Sequence, residues 1–240
     1  METKWGDGLK NKRVCCFIQA RMSSSRLPGK VMRKLNGKPM LHHVINQAQG
    51  SQHVDTVVVL TSTRSEDDPI EEYCHTLNVS VFSGSLHDVL KRFDDAAEIF
   101  HADVIVRVTA DCPFVDPSEI DKVVQCYFSD PVDYCSNVYP RTVPDGMDVE
   151  VVSRNCLSRL QQIVTSDSDR EHVTSYIHQH PELFTISHEP SVHPGLSIYK
   201  FSVDTYNDFV VAEVLSKELP SDKPVHMDQV VEVFWDRWMT

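Results

Sequence analysis

The chain has 240 residues, 41% of them hydrophobic, which suits the buried core of one large α/β domain spanning 1–240. Its 35 acids against 23 bases give a formal charge of −12, a balance that excludes a general nucleic-acid binder. Seven cysteines without a CxxC pair exclude a closed disulfide framework and predict a reducing cytoplasm, while the polar start Met1–Lys12 and the lack of any apolar stretch near about 20 residues predict neither export nor membrane insertion.

Val14–Gln19 is a short apolar run without helical spacing, bounded by charge before it and polar residues after it, which predicts a buried parallel strand. Serines, a proline and a glycine follow up to Lys30 and favour a loop. Arg21, Arg26 and Lys30 lie on that loop. Backbone N–H groups and small hydroxyls can wrap an oxyanion there, while guanidinium and ammonium groups neutralise it. Between Gly8 and Val54 there are nine Lys or Arg and no Asp or Glu, so the rest of the chain holds 35 acids against 14 bases. A positive field confined to one segment points to a polyanionic ligand, with phosphate foremost; a solvated basic loop is the plain alternative.

Pro39 begins a helix running to Gly50, with Leu41, Val44, Ile45 and Ala48 on one face. Thr56–Leu60 is a second strand, followed by a short helix from Pro69 to Thr76 and a third strand at Val79–Phe82. Ser85–Asp88 caps a helix reaching Phe100, and Asp103–Thr109 is a fourth strand. Pro117–Phe128 is the next helix. Alternation of this kind predicts an open, mainly parallel sheet whose ligand lies beyond the carboxyl ends of its strands.

Asp111 leaves the end of the fourth strand, on the same rim as the cationic loop. A carboxylate beside a triphosphate needs a hard cation between them, which assigns Asp111 to Mg²⁺; an Asx turn before Pro113 is the alternative. Asp133–Asn137 and Asp148–Val152 are expected strands, and the turn-rich stretch between them makes 133–160 a lid, acceptor pocket or dimer contact. Arg154–Val164 and Ser168–His180 are expected helices, with Phe184–Ser187 and Ile198–Val203 as strands. Asp204 follows the last of these and opens a helix through Leu215, either as an N-cap or as a second strand-end acid. Met227–Trp238 is an amphipathic closing helix.

Gln19 to Lys30, with Gly37-Lys38-Pro39-Met40-Leu41 after it, resembles the signature of the sugar-acid cytidylyltransferases of the acylneuraminate and 3-deoxy-manno-octulosonate type. The subgroup labelled spore-coat polysaccharide biosynthesis protein F is the best likeness. It continues through Ser83–Leu90, Asp111-Cys112-Pro113, Pro144–Glu150, Arg170–Thr174 and Val203-Asp204-Thr205, in order along nearly the whole chain. Ser23 stands where glycine is common, and Ala110 where a glycine usually precedes the aspartate.

The resemblance implies a three-layer α/β/α sandwich, GT-A-like, with a mixed, mostly parallel sheet. It places CTP on Gln19, Ala20, Arg21, Met22, Ser23, Ser24, Arg26, Lys30, Thr109 and Asp111, with Arg21, Lys30 and Asp111 catalytic. Asp111 and Asp204 hold Mg²⁺ or Mn²⁺ in that reading. A small acidic acceptor, a sugar acid, is expected on Arg141, Asp148, Glu150, Arg170 and His172, with release of pyrophosphate. The expected protein is a cytoplasmic homodimer without nucleic-acid or membrane partners. The alternatives are another nucleotide or a phosphonate acceptor, or a non-catalytic sugar-nucleotide-binding module.

Overall fold

The computed structural model describes residues 11–130, 132–220 and 223–239, so most of the polar start Met1–Lys12 lies outside it. The chain begins β1 (Val14–Gln19), β2 (Lys34–Leu35), β3 (Lys38–Pro39), α1 (Met40–Gln49), β4 (Thr56–Ser62), α2 (Asp68–Thr76) and β5 (Ser80–Gly84). It continues α3 (Val89–Ile99), β6 (Val104–Thr109), α4 (Pro117–Ser129), β7 (Tyr134–Ser136), β8 (Glu150–Ser153) and α5 (Arg154–Ile163). Then come α6 (Asp167–His172), α7 (Ser175–Gln179), β9 (Ile186–His188), α8 (Tyr206–Glu218) and α9 (Met227–Trp238). No helix among the described residues is long and apolar enough to cross a membrane.

Seven strands form one sheet in the order β5-β4-β1-β6-β8-β7-β9, and β2 pairs only with β3. The pairs β5/β4, β4/β1, β1/β6 and β7/β9 are parallel, while β8 runs antiparallel to both β6 and β7. The sheet is therefore mixed and mostly parallel, as expected. Its central strands are apolar on both faces because helices cover both. Val14, Cys16 and Ile18 of β1 enter one core with buried residues of α1, α4, α8 and α9. Cys15 and Phe17, pointing the other way, enter a second core with α3, α5 and α7. Leu41, Val44, Ile45 and Ala48 of α1 are buried as their spacing predicts, and burying one Leu or Ile stabilises by roughly 1.5–3 kcal/mol.

Two expectations need correction. Ile198–Val203 is not a strand: a 3₁₀ turn covers Pro194–Ile198, and Lys200 makes only an isolated parallel bridge with Asp145. The N–H groups of Phe201 and Ser202 both donate to the Asp145 carbonyl, and that of Val203 donates to the Asp111 carbonyl. The segment thus spends its donors on two different loops, and no ladder forms. Ser168–His180 is likewise not one helix. It breaks at Val173, whose φ of 59° and ψ of −60° cannot continue a helix. A β-branched residue at positive φ is strained, and the break frees the Thr174 hydroxyl to reach Glu150.

The 139–149 excursion is locked to the segment that leads into Asp204. Gly146 has φ of 101°, and a Cβ there would lie 2.4 Å from the Ser202 amide nitrogen. Only glycine combines that dihedral with so close an approach. Gly146→Ala should therefore lower unfolding stability by about 2 kcal/mol or more, measured as a drop in the urea midpoint.

Candidate active site

The parallel strands β5, β4, β1 and β6 end on one rim, and the cationic loop leaves from β1 there. The loop is closed by a hydrogen bond from the Gly29 N–H to the Met22 carbonyl, 2.9 Å, with Gly29 left-handed at φ 66°. Its entry is fixed by Asp67, which is buried just before α2. One Asp67 oxygen accepts the Met22 N–H at 2.6 Å, and the other accepts the Ser62 hydroxyl and N–H. Ser23 is not among the non-glycine residues at positive φ, so its replacement of glycine imposes no backbone strain.

Lys30 begins the 3₁₀ turn Lys30–Met32 and points at Asp111, past the end of β6, and at the Val203–Asp204 segment before α8. Its ammonium donates to Asp111 Oδ2 at 2.8 Å, to Asp204 Oδ1 at 3.2 Å and to the Val203 carbonyl at 2.8 Å. Arg26 donates to Asp204 Oδ1 at 2.8 Å, and Lys200 to Asp204 Oδ2 at 3.0 Å. The Thr109 hydroxyl donates to Asp111 Oδ1 at 2.6 Å. Asp204 is not the cap of α8; Thr205 is, in a capping box with Asp208. Burial alone would raise the Asp204 carboxyl, but Lys200 and Lys30 outweigh it and hold it below the ordinary carboxylate range.

Arg26, Lys30, Thr109, Asp111 and Asp204 line a cavity of about 290 Å³ together with Gln19, Ser23, Ser24, Ser25, Arg107, Glu171 and His172, while Lys200 holds Asp204 from outside that lining. Arg21 lines it too, its guanidinium 2.8 Å from Glu171 Oε1. A wider cleft of about 690 Å³ shares Arg21 and Ser23–Ser25 and adds Met22, Glu66, Leu86 and His87. Ala20 is buried beneath the loop and donates its N–H to the Leu60 carbonyl, so it shapes the cavity without lining it.

Four of the five expected acceptor residues lie outside the cavity wall. Arg141 and Asp148 bind each other through two hydrogen bonds of 2.6 and 2.8 Å. Arg170 is held by Asp88 at 2.7 Å, by the Val164 carbonyl at 2.8 Å and by Gln161. Glu150 is buried, facing Arg107 across the β6/β8 pair, and it accepts the hydroxyls of Tyr134 and Thr174 at 2.6 and 2.7 Å. Tyr134 spends its one O–H on Glu150, so His178 Nε2, 2.9 Å away, donates to the Tyr134 oxygen. Only His172 of the five reaches the cavity.

Sequence reasoning missed Arg107, Asp67 and Lys200. Arg107 carried a usable signal, since a charge inside the apolar run Val104–Val108 of a central strand must find a buried partner. Asp67 carried none, because the loop amide it holds lies 45 residues away in sequence, and Lys200, four residues before Asp204, was hidden in a stretch that reads as a strand. Together, a closed cationic loop, the carboxylate of Asp111 at the end of β6 and that of Asp204 before α8 give one rim of an α/β sheet the chemistry of a nucleotide-binding protein.

Comparison with known proteins makes the class more definite. A family model described as cytidylyltransferase matches residues 15–233. The chain is 35% identical over 226 residues to the spore coat polysaccharide biosynthesis protein SpsF of Bacillus subtilis strain 168, covering 91% of this chain and 92% of that one. A cytidylyltransferase from Leptospira borgpetersenii serovar Hardjo-bovis superposes with a TM-score of 0.89 at 31% identity, covering 94% and 95% of the two chains. CMP:2-keto-3-deoxy-manno-octonic acid synthetase complexed with CTP shares the fold at a TM-score of 0.67 and 19% identity, over 87% of this chain and 100% of that one. The chain belongs to the cytidylyltransferase family.

Two tests follow from the site's supports. Removing Asp67 leaves three donors unmet, the Met22 N–H and the Ser62 hydroxyl and N–H, so Asp67→Ala should cost about 1–3 kcal/mol and speed amide hydrogen exchange at Met22. For Glu150, burial raises the carboxyl, but Arg107, Tyr134 and Thr174 outweigh it and set it below its ordinary value. Its stabilisation is complete above the unfolded carboxylate range and lost as pH falls through the folded value. Unfolding midpoints should thus drop most steeply below about pH 4.3, and Glu150→Gln should flatten that limb.

Proposed function

We propose that the protein transfers CMP from CTP to a hydroxyl of a sugar acid and releases pyrophosphate. One observation carries the reading: the Lys30 ammonium contacts both Asp111 and Asp204, so the cationic loop and two acids far apart in sequence face one cavity. In this reaction the acceptor oxygen forms a bond to the α-phosphorus, the bond from that phosphorus to the bridging oxygen breaks, and the acceptor proton is lost. Arg21, Arg26 and Lys30 neutralise the charge that builds on the departing pyrophosphate. Ser23 and Ser24 supply hydroxyls to the phosphates, and Gln19 and Thr109 line the floor beneath them.

The residues present fit a divalent cation, Mg²⁺ or Mn²⁺. Asp111 and Asp204 are hard oxygen donors that already share a single cationic centre. No group of three or more His, Cys, Asp or Glu comes together among the described residues, so the protein offers two carboxylates and leaves the remaining positions to phosphate oxygens and water. When bound, the ion supplies Lewis-acid polarisation of the α-phosphate.

The acceptor side of the cavity is the wall of Arg107, Glu171 and His172. Arg107 is the cation there for the acceptor's carboxylate, held in place by Glu150, while Arg170 is engaged by Asp88 outside the cavity. The Arg141–Asp148 pair belongs to the 133–160 excursion, whose exposed tip at Pro140 and Arg141 suits contact with the acceptor or with a second copy in a homodimer. A GT-A-like label fits the rim placement of the nucleotide, and seven unpaired cysteines fit a cytoplasmic enzyme.

The test is pyrophosphate release with each of the four ribonucleoside triphosphates, Mg²⁺ and a panel of 2-keto-3-deoxy sugar acids. CTP with one such acid should turn over. Asp111→Asn should lower that turnover by about 10²-fold or more with an unchanged circular dichroism spectrum, and near-normal activity would remove the aspartate from the mechanism.

A further inference from the structure

Lys30 is only 12% exposed, and an ammonium has three N–H donors; all three are used, on Asp111 Oδ2, Asp204 Oδ1 and the Val203 carbonyl. Every oxygen of the two carboxylates also has a donor. Asp111 Oδ1 takes the Thr109 hydroxyl, Asp204 Oδ1 takes Arg26 as well as Lys30, and Asp204 Oδ2 takes Lys200. Three cationic side chains therefore converge on two acids: Lys30 and Arg26 from the cavity wall and Lys200 from behind it.

The geometry points to a role for Lys30 as an occupant of the cation position: it keeps a divalent ion out of the Asp111–Asp204 pair until a nucleoside triphosphate arrives, so that metal and nucleotide enter together. This rests on the nucleotidyl-transfer reading above and adds to it an order of binding.

A metal ion binding alone would have to bond oxygens that lie 2.8 and 3.2 Å from the ammonium nitrogen, placing two like charges in contact in a partly buried site. Moving Lys30 aside without a replacement acceptor would strand its three donors at a poorly hydrated position. A triphosphate removes both obstacles. Its oxygens accept the Lys30 and Arg26 donors, which releases the carboxylates, and they complete the coordination shell of an ion for which the protein offers only two groups. Metal and nucleotide are then coupled through Lys30, and the coupling is reciprocal. Arg26, 63% exposed in its side chain, can swing to the phosphates at little cost, whereas Lys30 is the buried member whose displacement sets the order.

The experiment is Mn²⁺ binding to the full chain, followed by the electron paramagnetic resonance signal of free Mn²⁺, with and without α,β-methylene-CTP. Wild-type protein should bind Mn²⁺ about tenfold or more weakly alone than with the analogue, after correction for Mn²⁺ held by free analogue. Lys30→Met should bind Mn²⁺ alone about tenfold or more tightly than wild type, because the competing charge is gone. Wild-type protein that binds Mn²⁺ equally well with and without the analogue overturns the inference and leaves the reaction intact. A folded Lys30→Met that gains no Mn²⁺ affinity overturns it too; if that variant does not fold, the wild-type comparison decides. Failure of wild-type protein to bind the analogue with Mn²⁺ at all overturns the nucleotidyl-transfer reading and the inference with it.

Discussion

The Lys30 ammonium ties three parts of the chain that are separated by 81 and 174 residues: the loop after β1, the end of β6 at Asp111, and the turn before α8 at Asp204. Without that cation, two carboxylates would face each other across a partly buried gap, and their mutual repulsion would open the rim. With it, the loop is drawn down onto the sheet and the cavity closes on one side. The same contact that holds the site together also occupies its centre.

Around that centre the fold supplies rigidity at each step. Asp67 anchors the loop's entry from beneath, and Gly29 lets the chain turn back to present Lys30. The Asp145 carbonyl gathers the donors of Phe201 and Ser202, and Gly146 permits the approach, so Asp204 is carried by a segment pinned at two points. On the opposite wall, Arg107 is held by a buried Glu150 whose other partners reach α7 and the break before it. That network places strain at Val173 next to a satisfied hydrogen bond on Thr174, which is the arrangement by which a strained dihedral persists.

The strands, the first helix and the rim were legible because each is written in local patterns. Val14–Gln19, Thr56–Leu60 and Val104–Thr109 are apolar runs flanked by loop residues, and an alternating order of strands and helices fixes where their carboxyl ends lie. Arg21, Lys30 and Asp111 were legible for the same reason, as charges placed just past strand ends. Ile198–Val203 misled because its β-branched and aromatic residues satisfy a strand pattern while its hydrogen bonds go to two separate loops. The helix expected at Ser168–His180 misled because nothing local marks Val173; the break accompanies a hydrogen bond from Thr174 to the buried carboxylate of Glu150 on β8, far away in sequence.

The wall of Arg107, Glu171 and His172 was the least legible part, and the reason is geometric. Arg141 and Arg170 are cations in motif-like surroundings, but each is paired with a carboxylate, Asp148 and Asp88, outside the cavity, while Arg107, paired with Glu150, sits within the apolar run of β6 and yet lines the cavity. By itself the sequence determined the class of sheet, the position of the cationic loop and the acid at the end of β6, since these depend on periodicity and on charge next to turns. Only the tertiary structure decided which cations face the cavity and which partner each one holds, because ion pairing depends on distance in space and the partners lie up to 178 residues apart along the chain.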